Sequence, residues 1–242
     1  MVNDSGNLYL ITARAGSKGV KNKNIIEIGG IPLLAFKAIS AKKSNHCDRL
    51  IISTDSEEIA HIAARYGVEV PFIRPRYLAE DNSSSTDVIL HAMDFIEKNE
   101  NKKYDKITLL EPSSPFATYE DYNNAIELYN LKKATSVIGM KESVSSTFIA
   151  PLDEDLKMSA HYNKMNIKQG VRRQDFTQEY TMNGALYVFN WDHMNTKKNI
   201  YSDNSYGYVM KSEYSIEIDD YNDLYYATYM YEKHLDKSYW SE

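Results

Sequence analysis

Short apolar segments alternate with segments of helical periodicity along most of the chain. Each apolar segment is bounded by turn-forming or polar residues, and its length suits a buried strand. The pattern becomes regular again near the C-terminal third, after a long polar stretch. It predicts strands at Leu8–Ala13, Arg49–Ser53, Val68–Ile73, Ile107–Leu110 and Ser136–Met140, with further strand-like segments at Ala185–Phe189 and Tyr208–Met210.

The segments between the predicted strands have the spacing of amphipathic helices. Pro32 suits a first helical turn, and Gly67 suits the end of a helix. The third helix is expected to begin at a capping residue, Ser85 or Thr86, and Asp220 is expected to cap the last helix. The predicted helices are Pro32–Lys43, Glu57–Tyr66, Ser85–Glu97, Tyr119–Leu131 and Tyr221–Leu235.

This alternation of strands and helices predicts a Rossmann-like α/β fold, with a mostly parallel sheet and helices on both faces. Ligands of such sheets bind beyond the carboxyl ends of the strands. Every conspicuous polar motif of this chain follows an apolar segment, so we expect the sites to converge on one edge of the sheet. Residues 141–180 are polar and show no clear period. We therefore expect one domain over residues 1–242, with 141–180 inserted as an arm that is either disordered or used for dimerisation.

Charge and composition limit the possible partners of the protein. The formal net charge is −6 and the isoelectric point is about 5.6, so bulk binding to nucleic acid or to an anionic membrane is not expected. The first residues lack a basic signal-peptide region, and no stretch approaches the about 20 apolar residues of a membrane-spanning helix. A single cysteine, Cys47, fits a reducing compartment. These features predict a cytoplasmic protein.

A cationic, glycine-containing segment follows the first predicted strand. Arg14, Lys18 and Lys23 lie close to Gly16 and Gly19 in the sequence A-R-A-G-S-K-G-V-K-N-K-N. Glycine allows backbone N–H groups to approach an anion closely, and the cations pair with it directly. The segment lacks the G-K-[ST] order of a P-loop. It predicts a triphosphate site, and the alternative is a solvated basic loop.

Two acids near the C-terminus are candidates for a metal site. Glu217 and Asp219 are separated by one residue, so on an extended segment their side chains project to the same face. A hard cation such as Mg²⁺ would relieve the repulsion between the two carboxylates. The alternative is an edge strand with solvated acids. The six histidines show no metal-ligand spacing.

Two further segments are candidates for substrate contacts. Prolines fix the loop Leu110–Phe116 after a buried strand, and its Ser113 and Ser114 can hydrogen-bond a base or a sugar. A turn without a ligand is the alternative. In the arm, Arg172 and Arg173 can pair bidentately with a carboxylate, or they can simply lie on the arm's surface.

Taken together, these motifs resemble the acylneuraminate cytidylyltransferase family, the CMP-sialic acid synthetases. The resemblance runs from Leu8 to about Leu235, with the motifs in the family's order. Its most specific part is A-R-A-G-S-K-G-x-x-x-K-N at Ala13–Asn24. The other matching motifs are S-T-D-S at Ser53–Ser56, R-P at Arg74–Pro75, L-A-x-D-x-S-S-S at Leu78–Ser85, P-x-S-P at Pro112–Pro115, R-R-Q-D at Arg172–Asp175, N-G-A-L-Y-V at Asn183–Val188 and S-I-E-I-D at Ser215–Asp219.

The resemblance implies a nucleotidyltransferase that uses CTP, Mg²⁺ and a sialic-acid-like nonulosonic acid, and that forms a homodimer through the 141–180 arm. Arg14, Lys23 and Asp219 are the implied catalytic residues, and Glu217 with Asp219 is the implied metal site. The partner subunit's arm is expected to supply an arginine to the sugar site, which Arg173 resembles. The implied nucleotide-binding residues are Arg14, Ala15, Gly16, Ser17, Lys18, Lys23, Asn24, Arg74, Asp81, Ser83 and Ser84, and the implied sugar-binding residues are Glu111, Ser113, Ser114, Arg173, Gln174 and Tyr187.

The chain departs from the family pattern at positions that concern the sugar. Glu111 stands where the family usually has glutamine, and Thr181 stands where a basic residue is usual. Together with the form of the cationic loop, these departures favour the legionaminic and pseudaminic acid branch. The substrate hypothesis is a modified nonulosonate, with an amine or a different N-acyl group that Glu111 meets. The alternatives are a Kdo or other sugar nucleotidyltransferase, and a non-catalytic nucleotide-binding protein on the same fold.

Overall fold

The strands of the protein are seen in the computed structural model, which describes residues 2–3, 6–149, 151–158 and 176–241. In chain order they are β1 (Val2–Asn3), β2 (Asn7–Thr12), β3 (Glu27–Ile28), β4 (Ile31–Pro32), β5 (Arg49–Ser53), β6 (Lys102–Lys103), β7 (Lys106–Leu110), β8 (Ser136–Ser143), β9 (Glu179–Asn190) and β10 (Ser205–Val209).

Helices follow most of the longer strands, as the periodicity predicts. The α-helices are α1 (Leu33–Lys43), α2 (Glu57–Arg65), α3 (Ser85–Glu100), α4 (Tyr119–Lys132), α5 (Trp191–Lys197) and α6 (Tyr221–Lys233). Short 3-10 helices lie at Lys23–Ile25, Arg76–Leu78, Ser146–Phe148, Ser212–Tyr214 and Lys237–Trp240. Within the described ranges, no helix is both long enough and apolar enough to span a lipid bilayer.

The main sheet has six strands in the order β10-β8-β9-β7-β2-β5. The pairs β10–β8, β7–β2 and β2–β5 are parallel, whereas β9 runs antiparallel to both of its neighbours. The mostly parallel sheet is therefore confirmed. Because β9 runs in the opposite direction, its N-terminal half meets the carboxyl ends of β7 and β8. Strand β9 has a bulge at Asn183–Ala185, where the chain turns locally at Gly184 (the Asn183–Ala185 turn). This bulge is thereby brought to the edge where the loops after β2, β5 and β7 meet.

Helices cover both faces of the sheet. On one face, α1, α2 and α4 pack on side chains such as Tyr9 and Val137, and on the other face α3 and α5 pack on Leu8 and Ile107. α1 is buried nearly all round, because its opposite side joins a third cluster with Phe116 and the two aromatic residues Tyr231 and Trp240. A helix with apolar residues around most of its circumference is buried in this way.

Two predictions of local structure are wrong. Residues 68–73 form no strand, since only Glu69 bridges to β5, and Pro71 has no N–H to continue the ladder. The cap of α3 is Ser84 rather than Ser85 or Thr86, and its hydroxyl accepts a hydrogen bond from the Asp87 N–H at 3.0 Å. The predicted cap of α6 is confirmed: Asp220 forms a capping box there.

The predicted arm is described only at its two ends. Residues 141–143 extend β8 and pair antiparallel with residues 179–181 of β9, so these polar ends belong to the sheet. Their polarity follows from exposure, because this part of the ladder projects past the core. Residues 159–175, which include Arg173 and Gln174, lie outside the described residues. The dimerisation role of the arm stays a prediction.

Candidate active site

The cationic loop after β2 lies against the segment that precedes α3. The Arg14 guanidinium donates one hydrogen bond to the carbonyl of Ala79 at 3.1 Å and another to Asp81 Oδ1 at 2.9 Å. Lys18 Nζ lies 2.6 Å from the second oxygen of Asp81. The buried Asn24 side chain donates to the Arg14 carbonyl at 2.9 Å and so stabilises the loop from within. Two of the predicted phosphate-binding cations thus share one carboxylate.

A second arginine, Arg74, lies beneath this loop and is only 4% exposed. Its backbone N–H donates to the Thr54 carbonyl at 2.7 Å, and Nη2 lies 3.8 Å from Asp55 Oδ1. Burial lowers the pKa of Arg74, and Asp55 acts against that shift. In the described part of the chain, the buried Nε of Arg74 has no hydrogen-bond acceptor. Since buried donors are nearly always satisfied, this atom is suited to meet a ligand acceptor.

Two cavities adjoin at Thr12 and Arg14, which line both of them. The first, of about 190 Å³, is walled partly by apolar side chains of α3 and β7 and includes Arg74, Asp81 and Ser83. The second, of about 270 Å³, is mainly polar. The predicted site residues that line the second cavity are Arg14, Ser17, Lys18, Lys23, Asn24, Glu111, Ser113 and Asp219.

The acidic segment closes against the cationic loop from the opposite side. Lys23 Nζ donates to the Ile218 carbonyl at 2.7 Å and lies 3.3 Å from Asp219 Oδ1. Gly19 packs directly on the backbone of Asp219, since an added Cβ would lie 1.9 Å from the Asp219 carbonyl oxygen. The Ile218 N–H donates to the Ser113 carbonyl at 2.8 Å. These contacts join the cationic loop, the proline-bounded loop and the acidic segment into one unit.

Glu111 and Glu217 meet at the Gly184 turn. A Cβ on Gly184 would lie 3.1 Å from Glu217 Oε1 and 3.5 Å from Glu111 Oε2, so the two carboxylates approach the same point. Burial raises the pKa of both groups. Glu217 raises the pKa of Glu111 further, and Asp219 does the same to Glu217. Gly184 has a φ of +66°, which favours glycine at this position.

The predicted metal ligands fit a divalent ion that is also held by phosphate. Burial alternates from Ile216 to Asp219, so Glu217 and Asp219 face away from the core and Asp219 opens to the second cavity. Among the described residues, no group of three or more acidic, histidine or cysteine side chains could hold a metal alone. Mg²⁺ is commonly bound through one or two carboxylates together with substrate phosphates. This donor set suits that mode of binding.

The other predicted residues have varied positions. The Ala15 N–H donates to Asp55 Oδ1, Gly16 is exposed with a φ of +75°, and Ser84 caps α3 rather than lining a cavity. Ser114 is fully buried, and its hydroxyl donates to the Asn183 carbonyl at 2.8 Å. Tyr187 is half-buried near Glu111, and its burial raises its pKa.

Sequence reasoning missed three residues of this region. Thr12 lines both cavities, and Asp55 holds both Ala15 and Arg74 from its place after β5. The S-T-D motif was a signal for Asp55. Lys37 is fully buried behind the site, and the signal for it is a charged residue within the apolar helix L-L-A-F-K-A-I.

A cytidylyltransferase family model matches residues 8–235 of the chain. A CMP-N,N'-diacetyllegionaminic acid synthase from Legionella pneumophila is 31% identical over 88% of this chain and 90% of its own length. A pseudaminic acid cytidylyltransferase from Campylobacter jejuni is 28% identical over 93% of this chain and 96% of its own. An N-acylneuraminate cytidylyltransferase from Escherichia coli is 34% identical over 93% of this chain, which spans 52% of the length of that relative.

A solved structure has the same fold. A CMP:2-keto-3-deoxy-manno-octonic acid synthetase complexed with CTP superimposes with a TM-score of 0.69, covering 96% of this chain and 100% of that one. The sequence identity is 13%, so this likeness supports the architecture alone.

Proposed function

The chain belongs to the cytidylyltransferase family, and we propose that it transfers CMP from CTP to the anomeric hydroxyl of a nonulosonic, sialic-acid-like sugar acid and releases pyrophosphate. One observation carries this proposal: a partly apolar cavity containing Arg74 adjoins a polar cavity lined by Arg14, Lys18 and Lys23. A nucleoside and its triphosphate need these two environments side by side. The relatives named for pseudaminic, legionaminic and N-acylneuraminic acids support the sugar class.

The proposed reaction is an in-line displacement at the α-phosphate. The sugar's anomeric hydroxyl loses its proton to solvent and its oxygen forms a bond to the α-phosphorus. The bond from the α-phosphorus to the oxygen that bridges to the β-phosphate breaks, and pyrophosphate leaves with that oxygen. Arg14, Lys18 and Lys23 stabilise the negative charge that gathers on the departing phosphates. Arg74 and Ser83 line the partly apolar cavity and are proposed to hold the base and the ribose. Positioning and electrostatics supply most of the rate, and no covalent intermediate with the protein is needed.

Glu217 and Asp219 are the proposed ligands of a magnesium ion. When bound, that ion would neutralise phosphate charge and orient the phosphates for attack. Lys23 donates to the Ile218 carbonyl and lies beside Asp219, so it holds this acidic segment at the edge of the cation-lined cavity. Without a metal ion the two carboxylates repel each other, and a bound divalent cation would remove that repulsion.

Glu111 is the proposed determinant of the sugar. Its side chain lines the polar cavity beside Ser113. It supplies a carboxylate at the position where the family that this chain resembles usually has the amide of a glutamine. A carboxylate favours a sugar substituent that donates hydrogen bonds or carries positive charge. The identities of 28% to 34% to relatives of different sugar specificity do not decide between those sugars. We therefore propose a modified nonulosonate as the substrate.

A homodimer is proposed through the 141–180 arm. Apolar side chains at its described ends are exposed, including Phe148 at 40%, Leu152 at 54% and Tyr180 at 47%. Burial against a second copy would remove this apolar surface from water. Arg173 is the arginine that the resemblance implies for the sugar site of the other subunit. The proposed subcellular location is the cytoplasm, where nucleoside triphosphates are available.

The test of activity is pyrophosphate release from purified protein with Mg²⁺, CTP or ATP, and a panel of nonulosonic acids that includes N-acetylneuraminate and Kdo. Release with CTP and a modified nonulosonate supports the proposal. A clear preference for N-acetylneuraminate would refute the role given to Glu111, and release with Kdo alone would refute the sugar class. Absence of release with every pair, from protein that still binds CTP, would favour the non-catalytic alternative.

The metal site is tested by Asp219→Ala, which should lower Mg²⁺-dependent turnover by at least about a hundredfold while the protein stays folded. Asp203→Ala is the matched control, because Asp203 is an exposed aspartate on the loop before β10, at the opposite edge of the sheet. Near-normal turnover of Asp219→Ala would mean that the metal is held elsewhere.

The shared site is tested by mixing subunits. Arg173→Ala and Asp219→Ala proteins should each be nearly inactive, and mixed dimers should regain activity, because one composite site then contains neither substitution. A monomer in sedimentation velocity, or no recovery from verified mixed dimers, would refute the arm's proposed role.

A further inference from the structure

Lys37 is a fully buried lysine on α1 that lines neither cavity. Its ammonium group donates a hydrogen bond to the Ala185 carbonyl at 2.9 Å. Burying a charged group is costly unless it is paired or hydrogen-bonded. An apolar residue would fill this helix position without that cost, so the lysine calls for a reason beyond packing.

The turn that Lys37 contacts is a junction of the active site. The Ala185 N–H donates to Asn183 Oδ1 at 3.1 Å, and the Ser114 hydroxyl donates to the Asn183 carbonyl at 2.8 Å. The Asn183 amide also donates to the Ser215 hydroxyl at 3.0 Å. The turn therefore connects the proline-bounded loop to the segment that precedes Glu217, and Lys37 holds it from the core side.

The opposite side of the same turn carries the acids. Glu111 Oε2 and Glu217 Oε1 both approach Gly184, the residue before Ala185. Two half-buried carboxylates at one point repel each other. Burial lowers the pKa of Lys37 to about 7, and Glu111 is the acid that most strongly opposes this shift. Lys37 in turn acts against the raised pKa of Glu111. The lysine and this acid thus interact electrostatically across the turn.

We propose that Lys37 is a positioning residue whose ammonium counters the charge of Glu111 across the Asn183–Ala185 turn and thereby holds the Glu111 carboxylate at the sugar side of the active site. The role of Glu111 toward the sugar rests on the proposed function. Lys37 itself touches no substrate in this arrangement. It acts through the turn and through the charge of Glu111, so its removal should impair use of the sugar acid and spare the binding of CTP.

The experiment is a double-mutant cycle of four proteins: the natural chain, Lys37→Met, Glu111→Gln, and the two substitutions combined. Methionine is unbranched and close to lysine in volume. It removes the hydrogen bond to Ala185 in both backgrounds, so that contribution cancels and the coupling to the Glu111 charge remains. Steady-state kinetics with the best sugar acid and with CTP is measured for each protein, together with thermal unfolding without ligands.

Lys37→Met should lower kcat/KM for the sugar acid by about tenfold or more, because it removes the stronger of the two lysines, Lys37 and Lys23, that counter the charge of the half-buried Glu111. The KM for CTP should change less than about twofold. In the Glu111→Gln background, the same substitution should cost less than about threefold, because no carboxylate then needs a partner. Thermal unfolding should show the same coupling: Lys37→Met should lower the melting temperature more in the chain that retains Glu111 than in the Glu111→Gln protein.

Equal losses in the two backgrounds would overturn the proposal and leave Lys37 with a purely structural contact to Ala185. A parallel rise in the KM for CTP would overturn it as well, since that result indicates general damage. If Lys37→Met alone fails to fold, recovery of folded protein in the double variant supports the proposal, and failure of both overturns it.

The unfolding cycle also separates this proposal from the proposed function. Coupling in the ligand-free protein requires only that Lys37 and Glu111 interact. A natural chain that releases no pyrophosphate with any sugar acid would refute the proposed function, whereas absence of coupling in unfolding would refute the charge pairing itself.

Discussion

Gly19 is the point where the cationic loop touches the acidic segment, and Gly19→Ala is the most direct perturbation of that contact. An ideal Cβ at residue 19 would lie 1.9 Å from the carbonyl oxygen of Asp219, whereas real Cβ contacts stay beyond 3.0 Å. This oxygen belongs to the backbone, so no side-chain rotation can relieve the contact. The acidic segment must therefore move by more than an ångström relative to the cationic loop.

A displacement of this size should lower kcat/KM for CTP about a hundredfold, which is the loss that a misplacement of about 1 Å can cause. The Lys23 hydrogen bond to the Ile218 carbonyl should lengthen or break with it. Pyrophosphate release at varied Mg²⁺ and CTP measures the loss, and the Mg²⁺ concentration needed for half-maximal rate should rise.

Gly207→Ala provides the matched control. Gly207, like Gly19, lacks a left-handed φ, and its added Cβ would meet only the flexible Met140 side chain at 3.0 Å. Gly207→Ala should retain activity within about twofold, in line with the small effects of substitutions that leave key contacts intact. If Gly19→Ala were folded and as active as this control, the close approach of the two segments would not matter for catalysis, and the assignment of Asp219 to the metal site would lose its main structural support.

Two other predictions concern charge. Asp81→Asn should tighten binding of inorganic tripolyphosphate by a few-fold in calorimetry, because Asp81 pairs with Arg14 and Lys18 and its loss frees both cations for the phosphates. Weaker binding would show that Asp81 organises the cations instead. Glu100→Gln should lower the free energy of unfolding at neutral pH, since Arg49 donates to Glu100 and lowers its pKa below the ordinary 4.5. A lowered carboxyl pKa stabilises the fold above the unfolded-state pKa, and that contribution is lost as the pH falls through the folded-state value. Urea unfolding curves of the two proteins should therefore differ at pH 7, and the difference should shrink as the pH falls below the ordinary carboxyl pKa of 4.5. A difference that stays constant with pH would contradict the assignment.

The candidate site could be located from the sequence because its main parts follow predicted strands. Arg14 and Glu111 come just after β2 and β7, which pair with each other, so their loops meet at one edge. The alternation of Glu217 and Asp219 with buried isoleucines also matched the structure's burial pattern, although residues 215–218 belong to no strand. Local pattern and strand direction suffice for such predictions.

The failures arose where one residue overrode a pattern or where a contact was distant in sequence. Pro71 interrupted an apolar run that was otherwise typical of a strand. Ser84 caps α3, although Ser85 beside it has the same side chain, and the choice depends on where the backbone enters the helix. Nothing in the local sequence indicated that Lys37 would lie opposite Glu111, 74 positions away by residue number.

By itself the sequence determined the α/β alternation, the order of the motifs and the chemistry available at the strand ends, because these depend on periodicity and residue type over short stretches. The tertiary structure alone decided which groups share an environment. The antiparallel course of β9 carries Gly184 to the acids, and α1 buries Lys37 behind them. The charge balance of Glu111 depends on those neighbours, since electrostatic interactions act through space and strengthen where water is excluded.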